Sequence, residues 1–205
     1  MDSVKGALKF RHFVLGIVAI FLYIGIEVGI PNIANLFMTS SVESGGLGIA
    51  AGIAGTFVGA YWFMMLVGRL TGSAIGGKVS SRTMVTCTSA AAILFLLLAM
   101  FLPKTWVITI GGNSVPFAIL LMVACGLCTS IMWGAVFNMA VEGLGKYTSI
   151  ASGIFMTMVV GGGILPIVQG FVADHMGFLN SYWLIIIYLV YMLWFALSGS
   201  KVKKA

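Results

Sequence analysis

Glu27 is the residue whose type and place most need a chemical reason. It lies inside the apolar stretch 13–38, about 14 residues and so ~21 Å along a helix from its start, and no other carboxylate sits so far from the end of such a stretch. An ionisable group at that depth in hydrocarbon is costly, so a task or a partner holds it there. Asn32 and Asn35 follow one and two turns on and extend a polar stripe. Two tasks suit the set: hydrogen-bonding a polar substrate, or accepting a proton during transport. A carboxyl that only ties its helix to a neighbour is the alternative. Tyr61, Trp62 and Trp133 are aromatic residues at depth, whereas Tyr and Trp usually gather at membrane interfaces. Deep aromatics stack on the apolar face of a sugar ring while Asn138, Gln169 and Glu27 hydrogen-bond its hydroxyls. Packing within a helix bundle would also account for them.

A second kind of chemistry is mechanical. Gly161, Gly162 and Gly163 are followed by Pro166, which donates no backbone hydrogen bond and crowds the carbonyl a turn earlier. A kink or local opening is expected there, a little beyond mid-membrane, against protein or a wet cavity. Transporters place substrate and movement at such breaks; a plain kink packed on a neighbour is the alternative. Gln169, one turn past Pro166, could line a cavity. Arg69, close to Gly68 and Gly72, either snorkels to the near surface or anchors the loop toward Lys78 and Arg82.

Enzyme chemistry finds no support. His12 and His175 lie outside or at the edges of the apolar stretches, and neither a nucleophile and base pair nor a nucleotide loop is present. Cys125 and Cys128 have helical spacing but no further ligand nearby, so no metal and no cofactor is expected.

The elements that must position these residues follow from composition. Of 205 residues 60% are hydrophobic and 8% charged, against roughly 25% charged in a soluble domain. Lipid must therefore be the solvent for most of the surface, and the net charge of +6 does not point to nucleic acid. A membrane helix needs about 20 apolar residues. Six stretches qualify, at about 13–38, 47–75, 83–102, 116–141, 149–173 and 182–198, joined by short glycine-rich turns, and they fill the chain as one domain. The predicted fold class is an all-α membrane protein with six transmembrane helices. If the N-terminus is cytoplasmic, Lys104 is the one basic residue of 11 that falls on the far side. Lys5, Lys9, Arg11, Arg69, Lys78, Arg82, Lys146, Lys201, Lys203 and Lys204 share the near side, so both termini are expected in the cytoplasm. The 27 glycines serve close helix approach, as in the pairs Gly25/Gly29 and Gly55/Gly59 and the run Gly68, Gly72, Gly76.

The segment 21–37, FLYIGIEVGIPNIANLF, resembles the start of the C-terminal half of the fucose permease type of sugar/proton symporter, a branch of the major facilitator superfamily that includes glucose/galactose transporters. The stretch from Gly68, Arg69 and Gly72 to Arg82 is similar to the superfamily's basic loop motif. Residues 138–174 resemble the branch in their G-L-G-K-Y loop, G-G-G-x-x-P break and Q-G-x-x-A-D ending. The resemblance implies two inverted three-helix repeats joined through the loop 104–113, placed as a multi-pass protein in the cell inner membrane. It also implies a twelve-span carrier in which two six-helix halves hold a fucose, glucose or galactose type of sugar and rock alternately. The principal proton-carrying carboxylates of the branch belong to the N-terminal half, which has no counterpart in this sequence. Glu27, Asn32, Gln169 and the break from Gly161 to Pro166 carry over as cavity or gating positions.

The reading is therefore half of a proton-linked sugar carrier, or a fragment of one, partnered by the bilayer, a sugar, a proton and either an N-terminal half or a second copy. A non-transporting six-helix protein, or a truncated structural remnant, is the alternative.

Overall fold

A computed structural model describes residues 2–202; Lys203 and Lys204 of the expected basic set lie outside the described residues. A short helix α1 (Asp2–Leu8) leads into α2 (Arg11–Thr39), α3 (Ala51–Ile75), α4 (Ser81–Phe101), a hairpin of β1 (Val107–Ile110) and β2 (Asn113–Pro116), and α5 (Phe117–Val141). Then come α6 (Thr148–Thr157), α7 (Gly161–Met176) and α8 (Tyr182–Trp194). The stretches Arg11–Thr39, Ala51–Ile75, Ser81–Phe101, Phe117–Val141, Gly145–Met176 and Tyr182–Gly199 are six helical spans long and apolar enough to cross a membrane. A 25-residue helix such as α3 is ~37 Å long, enough for a hydrocarbon core of about 30 Å.

Three features add to the expected all-α plan. Residues 107–110 and 113–116 pair as an antiparallel hairpin, with Ile110 opposite Asn113. The β-branched run Val107-Ile108-Thr109-Ile110 favours the extended chain, and Gly111 and Gly112 (φ +57° and +79°) supply the left-handed turn that a two-residue hairpin requires. The fifth span is interrupted by a 3-10 turn at Met158–Val160, directly ahead of the three glycines, while α7 continues through Pro166. The irregular turn thus stands about two turns before the proline. The last span ends in a π-helical turn, Phe195–Gly199.

The packing has an internal symmetry. Exchanging α2 with α5, α3 with α6/α7 and α4 with α8 maps each main helix contact onto another. The pair α3·α5 becomes α7·α2, α4·α5 becomes α8·α2, and α2·α5 and α4·α8 map onto themselves. Because α2 and α5 run in opposite directions, the two three-helix units are inverted.

The loops divide cleanly between the two ends. His12 Nε2 meets the Glu142 carbonyl oxygen at 2.8 Å, and Arg82 Nε donates to Ser200 Oγ at 3.3 Å. Both ends of the described chain therefore sit with the loops 76–80 and 142–147, here termed the basic end. Lys104 is at the opposite end, its ammonium 5.8 Å from the Phe37 ring centre.

Glycine spacing is used unevenly. Gly25 and Gly29 face Leu165 and Gln169 of α7 across a close contact. Gly55 and Gly59, with the same spacing on α3, meet nothing within 4 Å of where a Cβ would stand. They lie on a face of α3 that points out of the bundle, so this second pair packs no helix of the described chain, contrary to the expectation.

Candidate functional site

The site begins with a proline in α2. Pro31 has no N–H, so the carbonyl of Glu27, one turn earlier, loses the donor an α-helix would give it. The Tyr61 hydroxyl from α3 takes that place, donating to the Glu27 carbonyl at 3.0 Å. The phenol oxygen of Tyr61 also lies 3.2 Å from Thr129 Oγ1 of α5, so one phenol links three helices through buried hydrogen bonds. Tyr61 is 1% exposed.

The Glu27 side chain is paired. Its Oε1 accepts from Arg69 Nη2 at 3.3 Å, the one salt bridge among the described residues. The two partners differ in access to water, the Glu27 side chain being 11% exposed and that of Arg69 57%. Arg69 thus turns back into the bundle toward the carboxylate, with no bond to Lys78, Arg82 or their loop. Tyr23, one turn before Glu27, is fully buried with its hydroxyl beside the carboxylate. The neutral Trp133 ring of α5 packs against Tyr23 at 6.1 Å and against Phe155 at 5.8 Å.

Two grooves run along α3, one toward each end. The groove at the basic end, about 420 Å³, is lined by Arg69, Gly72, Ser73, Ser130, Trp133 and Asn138. The other, about 500 Å³, is lined by Pro31, Asn32, Asn35, Gly55, Val58 and Trp62. Tyr61 stands between them, with the Trp62 ring set edge-on against it at 5.5 Å. The candidate residues expected from the sequence are therefore divided: Asn32 and Trp62 on one side, Trp133 and Asn138 on the other, Glu27 and Tyr61 at the partition.

Gln169 joins neither groove. It is 1% exposed, lies against Gly29 and Ile185, and neither its Oε1 nor its Nε2 has a hydrogen-bond partner. Gly161 and Gly162 seat α7 against Phe21 and Ile24 of α2, whereas Gly163 faces open space and Pro166 is half-buried. Gly68 fits under Ser130 and the Leu127 carbonyl, and Gly72 against Ile131. Arg82 is half-buried through its bond to Ser200. Tyr23, Pro31 and Thr129 were not singled out from the sequence. The signal for Pro31 was present, since a proline four residues after a deep glutamate leaves that glutamate's carbonyl without its helical donor.

No family model matches the chain. It is 32% identical over 201 residues to a glucose/galactose transporter of Brucella abortus, covering 98% of this chain and 45% of that protein. A putative glucose/galactose transporter of Helicobacter pylori is likewise 32% identical over 202 residues, 96% of this chain and 46% of that one. The structure superposes on a crystal structure of a major facilitator superfamily transporter, the fucose:proton symporter, in the outward conformation. The TM-score is 0.79 at 21% identity, over 94% of this chain and 43% of the other. The six spans have the fold of one half of a major facilitator superfamily transporter. A peptide transporter shares the fold at a TM-score of 0.77 and 14% identity. The chain spans about half the length of the curated relatives it matches. The exchange of α2–α4 with α5–α8 relates the two inverted three-helix units of this half-fold, and the grooves along α3 lie on opposite sides of a partition inside it.

Proposed function

We propose that the chain supplies one six-helix half of a secondary active transporter that moves a sugar of the glucose, galactose or fucose type by alternating access. The observation that carries this reading is the pair of grooves along α3, one open to each end, with Tyr61 and the Glu27–Arg69 pair between them. Each groove offers an indole and an amide: Trp62 with Asn32, and Trp133 with Asn138. An indole stacks on the C–H face of a pyranose while amides and the ion pair bond its hydroxyls. The sugar transporters among the relatives support the substrate class.

The other wall of the site is a second six-helix body, an N-terminal half or another copy, and rocking of the two bodies opens one groove and closes the other. The basic end faces the cytoplasm across the cell inner membrane, because ten of the 11 Lys and Arg, that is all but Lys104, belong to it by sequence. A proton couples to uptake. Radiolabelled glucose, galactose and fucose uptake into proteoliposomes containing this chain and an N-terminal half tests the reading. Uptake that rises with an inward proton gradient and falls at least tenfold in Trp133→Ala is expected. Absence of uptake of all three sugars at every gradient would overturn it and leave a non-transporting membrane bundle.

A further inference from the structure

We infer that the cleft around Lys104, at the end opposite the basic end, binds the headgroup of an anionic phospholipid, with the phosphodiester paired to the lysine ammonium. The inference stands apart from the carrier reading and does not rest on it.

The chain places the lysine there by ending a helix. Pro103 lacks the N–H that a further turn of α4 would need. The helix stops at Phe101 and the chain turns back, with the Trp106 N–H donating to the Pro103 carbonyl at 3.0 Å. With 21 residues α4 is ~31 Å long, which matches a hydrocarbon core of about 30 Å. Lys104, just past its end, therefore stands at the level of the headgroups. Exposed aromatic residues mark the same level, as they do at membrane interfaces. The rings of Phe101 and Trp183 meet edge-on at 6.3 Å, and Trp106 is 60% exposed.

The ammonium of Lys104 lies over the Phe37 ring, 5.8 Å from its centre, and Phe37 packs on Phe178 at 6.1 Å. The cleft so formed, about 340 Å³, is lined by Phe37, Ser44, Met100, Lys104, Phe178 and Asn180 among others. Its lining carries one positive charge and no negative one. Glu43 and Asp174 are exposed at the same end, yet neither forms a salt bridge with Lys104. An aromatic face attracts a cation but supplies no counter-charge. A phosphate oxygen supplies both the charge and a charge-assisted hydrogen bond. A zwitterionic headgroup would bring a second cation into a cleft with no carboxylate to receive it, so the ligand carries net negative charge. Headgroup hydroxyls meet Ser44 and Asn180, which line the same cleft. The source is a lipid because an apolar seam runs on from the cleft toward mid-membrane. There α4 packs on α8, with Leu94 and Leu98 of the one and Ile187 and Val190 of the other exposed to hold acyl chains. Basic pockets between membrane helices hold acidic lipid headgroups in this manner.

The test is thermal unfolding of the full chain in a neutral detergent, titrated with phosphatidylglycerol, with phosphatidylcholine of the same acyl chains, or with glycerol phosphate. Phosphatidylglycerol is expected to raise the melting temperature saturably, and phosphatidylcholine to leave it unchanged. Lys104→Gln should weaken the apparent affinity by about tenfold or more, the loss of one charge-assisted bond, and Lys104→Arg should retain it. Lys146→Gln, at the basic end, should leave the parent's response in place. A Lys104→Gln titration that matches the parent's overturns the inference, as does an equal response to phosphatidylcholine. A response to glycerol phosphate as large as that to phosphatidylglycerol overturns the lipid as the source. A lysine that served only the Phe37 ring and the nearby helix ends would make Lys104→Gln less stable by the same amount with and without lipid, and that result too overturns the inference. No sugar is present, so this outcome and that of sugar uptake are read separately.

Discussion

The helix pairs α3·α5 and α2·α7 exchange under the inverted repeat, and each packs in parallel through glycine. In α2·α7 the register is constant: Phe21 faces Gly161, Gly25 faces Leu165, and Gly29 faces Gln169. In α3·α5, Gly126 abuts the Tyr61 carbonyl and Gly68 lies under Ser130. Only α3·α5 adds a buried cross-helix hydrogen bond, Tyr61 to Thr129, and α3 is further tied to α2 by the Glu27 carbonyl and carboxylate. Among the described residues α2·α7 has no side-chain hydrogen bond across it, and its one large polar group, Gln169, is unsatisfied. Sliding α7 along α2 costs dispersion contacts, whereas sliding α3 breaks directed bonds. The same architecture thus yields one fastened arm and one arm free to reseat, and the irregular turn Met158–Val160 heads the free one.

The comparison breaks first at the glycines. Gly126→Leu would drive side-chain atoms onto the Tyr61 carbonyl of the fastened pair and should cost about 3 kcal/mol, the upper part of the usual range for overpacking. Gly161→Leu meets the Phe21 carbonyl in the same way, but α7 can shift, and roughly half that loss is expected. Thermal unfolding in detergent measures both. Equal losses would show the two interfaces to be equally rigid.

Arg69→Gln comes next. Breaking a buried ion pair costs about 3–5 kcal/mol, and the 57% exposure of Arg69 reduces this to about 2 kcal/mol. The sign with pH is fixed by the carboxylate. The ion pair contributes while Glu27 is ionised and ceases to do so as falling pH protonates it, so the gap between parent and variant should close on acidification. Melting curves in matched buffers would read it, and a gap that widens toward acid pH would contradict the pairing. Smaller again is Tyr61→Phe, which deprives the Glu27 carbonyl of its donor and should cost about 1 kcal/mol. In a Pro31→Ala background the helix regains its own donor, and the cost of losing the phenol should shrink. Additive losses in that cycle would separate Tyr61 from the proline.

Much of this frame was legible. Lipid demands long apolar runs, so six spans stand out, and a glutamate at mid-depth draws attention by cost alone. Pairing between Glu27 and Arg69 was not legible, because the residues are 42 apart and their meeting depends on which faces α2 and α3 turn to each other. Gly25/Gly29 and Gly55/Gly59 make the same point: identical spacing, yet one pair is packed and the other open. Spacing defines a stripe on a helix, and only the neighbours decide what the stripe meets. The break was read from Pro166, but the irregular turn is at Met158–Val160, where the chain tightens before Gly161 and Gly162 seat on α2. Gln169 was taken for a cavity residue on polarity, whereas its register opposite Gly29 buries it.

Gln169 also gives the smallest and most discriminating prediction. A buried amide with neither oxygen nor nitrogen bonded loses its hydration without recompense, a penalty of about 1–3 kcal/mol per unsatisfied group. Leucine keeps most of the volume against Gly29 and Ile185 and removes both polar atoms. Gln169→Leu should therefore be neutral or raise stability by about 1 kcal/mol, the opposite sign from Tyr61→Phe across the equivalent interface. A melting temperature that drops as far as that of Tyr61→Phe would mean that the amide is bonded after all, through water or a shifted α7. The α2·α7 pair would then be fastened by polar contacts like its counterpart, and freedom to reseat would have to be sought elsewhere in the bundle.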